Sequence, residues 1–259
     1  MKNVFTFLLL LFSLLCNGQS PKLFTTDKEL SSSLINQIYQ DRNGFIWIAT
    51  EDGLNRYDGA KFTIYKHEPN NEHSLAHNFV RTVFEDSKGH LLIGTYIGIQ
   101  MYDPATDNFT PLAKLEDTGE TLESNINSFI ERKNGEIWVS GNVLCKLDIK
   151  DHLLTVRKVD IAVTSPGSLF EDKKQNVWMA KGEEGVYQLT PDNQLTLHLS
   201  KDNGYVKSIC EDQRGNIYVG SIRKGLFIYD KERKTFVPID LKEKGELPVC
   251  FLYSGIPNE

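Results

Sequence analysis

The sequence predicts an all-β fold, a β-propeller with about five recognisable four-stranded blades whose ring is incomplete in this chain. The prediction rests on a repeated motif, on its period and on strand-like alternation inside each copy. The motif is an apolar pair, an acidic turn ending in glycine, an aromatic or apolar strand, a second glycine and usually Tyr-Asp. Counted between turns at residues 41, 86, 132, 172 and 212, its period is 45, 46, 40 and 40 residues, which is typical of propeller blades.

The first copy shows how one repeat becomes four strands. We predict the innermost strand at residues 35–40, the second at 45–50, the third at 54–57 and an outer fourth strand at 62–66. A tight turn at residues 41–44 joins the first two strands. Its Asp accepts hydrogen bonds from the turn backbone, and its Gly supplies the positive φ that other residues resist.

The other copies repeat this order with local departures. We expect repeat units near residues 31–66, 76–113, 122–158, 166–199 and 204–239, and the start of a sixth at 247–259. The third copy has Arg132 in place of the turn Asp and no Tyr before Asp148, and the fourth lacks the terminal Tyr-Asp. These departures should weaken the turns locally without changing the fold.

One tryptophan recurs at the same register position in three of the repeats. It is Trp47 in the first, Trp138 in the third and Trp178 in the fourth. A lone four-stranded sheet has two apolar faces that it cannot hide, and packing against neighbouring blades covers both. We therefore predict that these rings form the core between blades rather than a platform for ligands.

The two ends of the repeat array point to an open ring. Residues 23–26 parallel residues 62–65, so the chain is expected to begin on an outer strand. Propellers usually close by pairing an N-terminal strand with strands from the C-terminal end. Residues 247–253 resemble the inner strand of a sixth blade without its remaining strands. We interpret residues 19–259 as a partial propeller, either the front piece of a longer protein or a truncated gene product.

Residues 1–18 are predicted to be a secretory signal peptide. Lys2 gives the short basic start, and the apolar stretch at residues 7–16 is too short to span a bilayer comfortably. Acylation of Cys16, as in a lipoprotein, is the alternative to cleavage near Gly18. We expect a periplasmic protein that does not insert into the membrane.

Charge and cysteine content limit the functions further. The formal net charge of −6 becomes −7 when Lys2 is removed with the signal peptide, and an acidic surface disfavours nucleic acid. Cys145, Cys210 and Cys250 would remain, an odd number with no metal-ligand spacing. We expect Cys145 and Cys210 to pack as small apolar residues.

The sequence gives little sign of catalysis, metal binding or a cofactor. The turns resemble the Asp box of sialidases, but the glycine comes one residue later and no trio of arginines is evident. No two carboxylates are placed as a glycosidase needs them. The densest set of potential metal ligands is His67, Glu68, Glu72, His73 and His77. Because this set lies in a loop without strand or helix register, we expect no metal there.

Binding in a propeller usually takes place on the loops at one end. The loops between second and third strands are predicted at residues 51–52, 96–97, 141–142, 181–184 and 222–224. They vary while the flanking strands repeat. Our candidate ligand-binding residues are Tyr96, for stacking on a sugar face, with Glu183 and Arg223 as hydrogen-bonding groups. The alternative for each is an ordinary exposed loop residue.

The repeats resemble those of the two-component regulator propeller family. Residues 38–59 match its consensus nearly throughout and read Ile-Tyr-Gln-Asp-Arg-Asn-Gly-Phe-Ile-Trp-Ile-Ala-Thr-Glu-Asp-Gly-Leu-Asn-Arg-Tyr-Asp-Gly. The resemblance covers about residues 21–259 and is strongest in the first, second and fifth units. Such repeats typically form the periplasmic sensor of hybrid two-component systems in Bacteroidetes-type bacteria, ahead of a membrane helix and a histidine kinase.

The resemblance implies a non-catalytic sensor propeller that responds to glycans. It would take an oligosaccharide ligand, and its partners would be a C-terminal propeller and kinase parts, or a second protomer. Any histidine kinase activity would lie in parts absent from this chain. Two alternatives stay open: a secreted propeller enzyme, such as a lyase or glycosidase, and a truncated remnant without function.

Overall fold

The computed structural model describes residues 23–26, 29–199, 204–222 and 224–239. Within these residues the regular elements are all β-strands, grouped in five sheets that follow one another along the chain. The predicted all-β class of successive propeller-type sheets is therefore confirmed. The predicted signal peptide and the start of the sixth unit, residues 247–259, lie outside the described residues.

Each sheet is formed by strands that are consecutive in the chain, and they also pair in chain order except in the third sheet, where the first strand in the chain pairs with the last. The first sheet contains β1 (Ile35–Gln40), β2 (Ile46–Thr50), β3 (Gly53–Tyr57) and β4 (Phe62–Tyr65). The second contains β5 (Val80–Glu85), β6 (Leu91–Thr95), β7 (Ile99–Asp103) and β8 (Asn108–Phe109). The third contains β9 (Lys114–Leu115), β10 (Ser128–Glu131), β11 (Ile137–Ser140), β12 (Leu144–Lys150) and β13 (Leu153–Lys158). The fourth contains β14 (Leu169–Glu171), β15 (Val177–Lys181), β16 (Gly185–Leu189) and β17 (Leu195–Leu199). The fifth contains β18 (Val206–Glu211), β19 (Ile217–Ser221), β20 (Gly225–Asp230) and β21 (Thr235–Pro238).

The first strands of neighbouring sheets contact one another. β1 contacts β5, β5 contacts β10, β10 contacts β14, and β14 contacts β18. The later strands of each sheet lie progressively farther from these contacts, since each pairs antiparallel with the strand before it. The first strands therefore form the inner side of the array, as a propeller requires.

The third sheet differs from the predicted four-stranded blade because it has a fifth strand. β9 pairs parallel with the outer strand β13, and a bridge between Lys114 and Thr121 closes a small hairpin around it. The hairpin turn places Gly119 at φ +70°, a conformation that glycine adopts readily. The long link between the second and third sheets thus covers the outer edge of the third.

The three tryptophans lie between sheets, which confirms their predicted place in the core. Trp47 and Trp178 are each 1% exposed and Trp138 is 4% exposed. The Trp47 ring lies 4.9 Å from the ring of Tyr102 on the second sheet, and the Trp178 ring lies 5.2 Å from that of Tyr229 on the fifth. Aromatic pairs at these distances add to the burial that joins neighbouring sheets.

The first sheet keeps one apolar face partly open. Ile38 is 57% exposed, whereas the residues at its register position in the later sheets are buried, namely Val83, Phe129, Leu169 and Ile209. The outer strand predicted at residues 23–26 is not formed. The Phe24 ring nevertheless packs on the first sheet, 5.2 Å from Tyr57 and 5.0 Å from Phe62.

The acidic turns are held by a buried carboxylate. Asp172 Oδ1 accepts the backbone N–H groups of Lys174 and Asn176, at 2.8 and 2.9 Å. Its Oδ2 accepts the Asn176 amide and the Trp178 indole N–H, both at 2.8 Å. Similar bonds hold Asp41, Asp86 and Asp212. Each turn is thereby tied to the second strand that follows it.

The third turn forms without this Asp. The backbone bonds remain, because Gly135 N donates to Arg132 O and Arg132 N donates to Glu136 O, both at 2.8 Å. Glu136 Oε2 takes over as acceptor of the Trp138 indole N–H at 3.0 Å. Arg132 instead places its guanidinium 4.6 Å from the Trp138 ring. In the third turn, which we expected to be weakened, the Glu136 carboxylate therefore takes the place of the missing Asp as the acceptor for the tryptophan.

Candidate functional site

The strand order places two kinds of connection at opposite ends of the sheets. The acidic turns lie at one end. At the other end, which we call the loop end, the loops between second and third strands meet the links between sheets. Hydrogen bonds join the two at the loop end: Tyr96 N donates to Phe79 O at 3.0 Å, and Ile222 N donates to Tyr205 O at 2.9 Å. The loop end is thus a continuous surface on each of these sheets.

Large apolar side chains are exposed at one register position of the loop end. Tyr96 is 54% exposed and Ile222 is 67% exposed, each as the first residue after a second strand. Leu34 and Tyr205, at the entry to β1 and β18, are also exposed. Exposed apolar side chains gathered at one end of a molecule are typical of binding surfaces.

Three of the inner strands carry a β-bulge at the same place near the loop end. The register shifts between Ile35 and Gln37 in β1, between Val80 and Thr82 in β5, and between Val206 and Ser208 in β18. The extra residues are Asn36, Arg81 and Lys207. Because a bulge redirects a side chain and often lies beside a functional site, these three polar residues are candidates for ligand contact.

The second sheet combines these features in what we call the Tyr96 cluster, formed by His77, Phe79, Arg81 and Tyr96. The Tyr96 ring lies 5.6 Å from the His77 ring and 6.0 Å from the Phe79 ring. The Arg81 guanidinium carbon lies 5.8 Å from the Phe79 centroid. The half-buried Phe79 ring therefore lies near both the exposed Tyr96 ring and the Arg81 guanidinium.

The backbone fixes the hydrogen-bonding role of His77. Phe79 N–H donates to His77 Nδ1 at 2.9 Å, so a neutral ring carries its proton on Nε2. No hydrogen bond or ion pair joins the Arg81 side chain to another residue in the part of the chain that the structure describes. The cluster thus offers an aromatic face, an imidazole N–H donor and an unpaired guanidinium.

The structure describes two of the three candidate residues predicted from sequence, Tyr96 and Glu183, and places them on different sheets. Tyr96 lies in the cluster on the second sheet. Glu183 is exposed in the turn between β15 and β16 on the fourth sheet, and no described hydrogen bond or ring contact joins it to Tyr96. Arg223 lies outside the described residues. We did not identify Phe79 or Arg81 from sequence, because their neighbourhood depends on the bulge in β5.

The histidine-rich link at residues 66–79 is held by backbone contacts. His67 Nδ1 lies 2.9 Å from Leu75 O, and His73 Nδ1 lies 3.2 Å from Phe109 O. Among the described residues, His, Cys, Asp and Glu side chains nowhere gather in a group of three or more that could hold a metal ion. The His73 contact anchors the link to β8 of the second sheet, whereas the His67 contact lies within the link.

A concave region lies beside the β9 hairpin. This cleft has a volume of about 740 Å³ and is lined by Lys114, Leu115, Glu120, Ser124, Asn142 and Lys158, among others. Its lining contains no aromatic ring and mixes both charge signs. The cleft therefore lacks the flat apolar face on which a sugar ring stacks, and the Tyr96 cluster is the stronger candidate.

Tyr65 has a strongly raised pKa and lies in a hydrogen-bond network between the first and second sheets. Burial raises the pKa of Tyr65 and of Tyr102, and both hydroxyls donate to Asp107 Oδ1 at 2.6 Å. Burial opposes ionisation of Asp107, but hydrogen bonds from the two tyrosines and the charge of Arg56 lower its pKa. Perturbed groups can mark active sites; here they fill the junction between two sheets and hold it together.

Comparison with known proteins finds matches to parts of this chain. The model of the two component regulator propeller family matches residues 29–52, 74–96 and 200–223. A curated relative, histidine kinase P4 of Formosa agariphila, is 37% identical over 83 residues, which cover 29% of this chain and 6% of the relative. The chain therefore spans only a small part of that relative's length.

Solved structures share the fold. The extracellular domain of a one-component system from B. thetaiotaomicron is 18% identical, with a TM-score of 0.68 over 85% of this chain and 33% of that chain. The extracellular domain of a hybrid two-component system from the same organism is 19% identical, with a TM-score of 0.53 over 84% and 36%. An inactive virginiamycin B lyase from Staphylococcus aureus is 13% identical, with a TM-score of 0.62 over 86% and 73%. Among the described residues, no helix has the length and apolar character needed to cross a membrane.

Proposed function

This chain carries repeats of the two component regulator propeller family, and from them we propose that it is an extracytoplasmic sensor propeller of a two-component signalling system. It binds an oligosaccharide at the loop end and catalyses no reaction itself. The observation that carries the proposal is the Tyr96 cluster, in which an exposed aromatic face lies beside hydrogen-bonding side chains.

The chemistry of the cluster suits a sugar. A sugar ring presents an apolar face of C–H groups and an edge of hydroxyls, so a binding site needs a flat ring and nearby hydrogen-bonding groups. Tyr96 supplies the ring, and His77 Nε2 and Arg81 supply donors. Because Tyr96 is 54% exposed, a ligand can reach its ring.

A propeller without enzymatic activity acts by changing a conformational equilibrium. A ligand can shift the equilibrium between two states of a signalling assembly only by the difference in its affinity for those states. The kinase or other output would belong to parts outside this chain, which spans 6% of the histidine kinase that it resembles. Secretion through residues 1–18 places the ligand outside the cytoplasm, and N-terminal sequencing of the exported protein tests cleavage near Gly18.

A secreted propeller enzyme is the alternative, and the shared fold with a lyase is the observation that favours it. The two functions differ in what happens to the saccharide. Chromatography of each saccharide after incubation with the protein separates them: a sensor returns the saccharide intact, whereas a lyase or glycosidase returns shorter products.

Thermal shift measurements against a panel of neutral and acidic oligosaccharides test the proposal. At least one saccharide should raise the melting temperature of the chain, because a ligand that binds only the folded state stabilises it. Tyr96→Ala should remove that shift. Leu153→Ala, on an outer strand with 56% exposure close to that of Tyr96, should retain it. A panel in which no saccharide raises the melting temperature would count against the proposal.

A further inference from the structure

We propose that the Tyr96 cluster recognises the acidic group of an anionic saccharide, one that carries a carboxylate or a sulfate. This inference rests on the proposed function and adds the chemical class of the ligand. In this assignment the Tyr96 ring stacks on the sugar, and Arg81 with His77 binds the acidic group.

Arg81 is half-buried and yet forms no ion pair among the described residues. Arg42, Arg56 and Arg132 each form an ion pair, with Glu85, Asp107 and Glu171 respectively, at N–O distances of 2.6 to 3.0 Å. Arg81 has no such partner among the described residues, although the chain carries a net charge of −6. A partly buried guanidinium without a carboxylate is well suited to receive one from a ligand.

The bulge in β5 places Arg81 beside the aromatic rings of the cluster. Arg81 is the extra residue of the bulge in β5, so its side chain leaves the alternation of the strand. Its guanidinium lies against the Phe79 ring, which in turn contacts Tyr96. The planar fork of guanidinium N–H groups matches both oxygens of a carboxylate or two oxygens of a sulfate. His77 Nε2 adds one more hydrogen-bond donor to the cluster.

The fifth sheet repeats this pattern. Tyr205 occupies the register position of Phe79, and Lys207 occupies that of Arg81 as the extra residue of the bulge in β18. Tyr205 is exposed, and Lys207 is exposed as well. Two inner strands thus bring an aromatic ring and a cation to the loop end at the same bulge.

Isothermal titration of the chain with two matched pairs of saccharides tests the inference. The first pair is tetragalacturonate and its fully methyl-esterified form, and the second is a sulfated galactan tetrasaccharide and its desulfated form. Within each pair the sugar chain is the same and the acidic groups are either esterified or removed, so the comparison separates recognition of the acidic group from stacking on the sugar. The two pairs distinguish a carboxylate from a sulfate.

We expect the charged member of one pair to bind at least about tenfold more tightly than its neutral partner. Arg81→Gln should abolish this preference, and Arg81→Lys should retain part of it, because the charge remains while the planar fork is lost. Arg214→Gln is the matched control. It removes one arginine from an acidic turn at the opposite end, where only the backbone of Arg214 bonds to Asp212, and it should leave the preference unchanged.

Two results would overturn the inference. The cluster does not recognise an acidic group if both members of each pair bind equally, or if the two Arg81 variants keep the full preference for charge. In either case saccharide binding and the proposed function stand. If neither these saccharides nor the neutral panel bind at all, the proposed function fails together with the inference.

Discussion

The carboxylate of Glu85 on the second sheet accepts the backbone N–H of Arg42 in the acidic turn of the first sheet, with an Oε2–N distance of 2.8 Å. The same bond recurs at each later junction, where the pairs are Glu131 with Ser87, Glu171 with Lys133 and Glu211 with Lys173, at 2.6, 2.7 and 3.0 Å. Each Glu directly precedes an acidic turn or its equivalent. We call this bond the junction clamp, because it joins one sheet to the turn of the sheet before it.

Removing a junction clamp should destabilise the protein. The Glu85 side chain is only 7% exposed, and its Oε1 also pairs with Arg42 Nε at 2.6 Å. Glu85→Ala leaves both donors without their acceptor, so we expect the free energy of unfolding in urea to fall by about 2 kcal/mol.

The first sheet supplies the control for this experiment. Gln40 occupies the same register position, but its side chain reaches only Gly44 O of its own turn, at 3.4 Å. Gln40→Ala should change the free energy of unfolding by less than about 0.5 kcal/mol. Equal effects of the two substitutions would contradict the role of the clamp.

The acidic turns should be sensitive to loss of their carboxylate. Asp172 is 4% exposed and accepts four hydrogen bonds. Asp172→Ala leaves these buried donors unsatisfied, and we expect a loss of about 3 kcal/mol in urea unfolding. Asp192→Ala, in an exposed turn of the same sheet, should have almost no effect. A loss no larger than that of Asp192→Ala would show that backbone bonds alone hold the turn.

The third turn should respond to pH through Glu136. Burial opposes its ionisation, but hydrogen bonds from Lys146, Trp138 and Asn134 outweigh burial and lower its pKa from 4.5 to about 2. A carboxyl with a lowered pKa stabilises the fold above its unfolded pKa, and this contribution is lost as pH falls through the folded pKa. Glu136→Gln should therefore destabilise the protein more at about pH 7 than at about pH 3.

Urea unfolding of both proteins at the two pH values measures this effect. Glu232→Gln provides the control, since Glu232 is exposed and only its backbone N–H bonds to Asp230. A difference between the native protein and Glu136→Gln that is the same at both pH values would contradict the lowered pKa.

The order of the sheets could be predicted from the sequence because its causes are local. The acidic turn with Gly44 at φ +86° separates β1 from β2 as expected, and strand alternation marks the apolar faces. The strand β9 could not be predicted in this way. It has two residues, and it exists because the link after the second sheet meets the outer edge of β13, a contact that depends on the folded neighbour.

The candidate site was predicted only in part for the same reason. Tyr96 could be identified from its place in a variable loop, but Phe79 and Arg81 belong to a strand whose alternation is broken by a bulge. The bonding of His77 to Phe79 N likewise depends on the path of the link. The third turn is a further example, because Glu136 replaces the missing Asp from a different position along the turn.

In the function proposed above the loop end of the second sheet binds the ligand, and hydrogen–deuterium exchange tests this claim. The chain is measured with and without the saccharide that raises its melting temperature most. We predict slower amide exchange in residues 77–98 of the native protein and no such change in Tyr96→Ala. Protection that appears only around the cleft beside β9, at residues 114–124, or that persists unchanged in Tyr96→Ala, would contradict the claim.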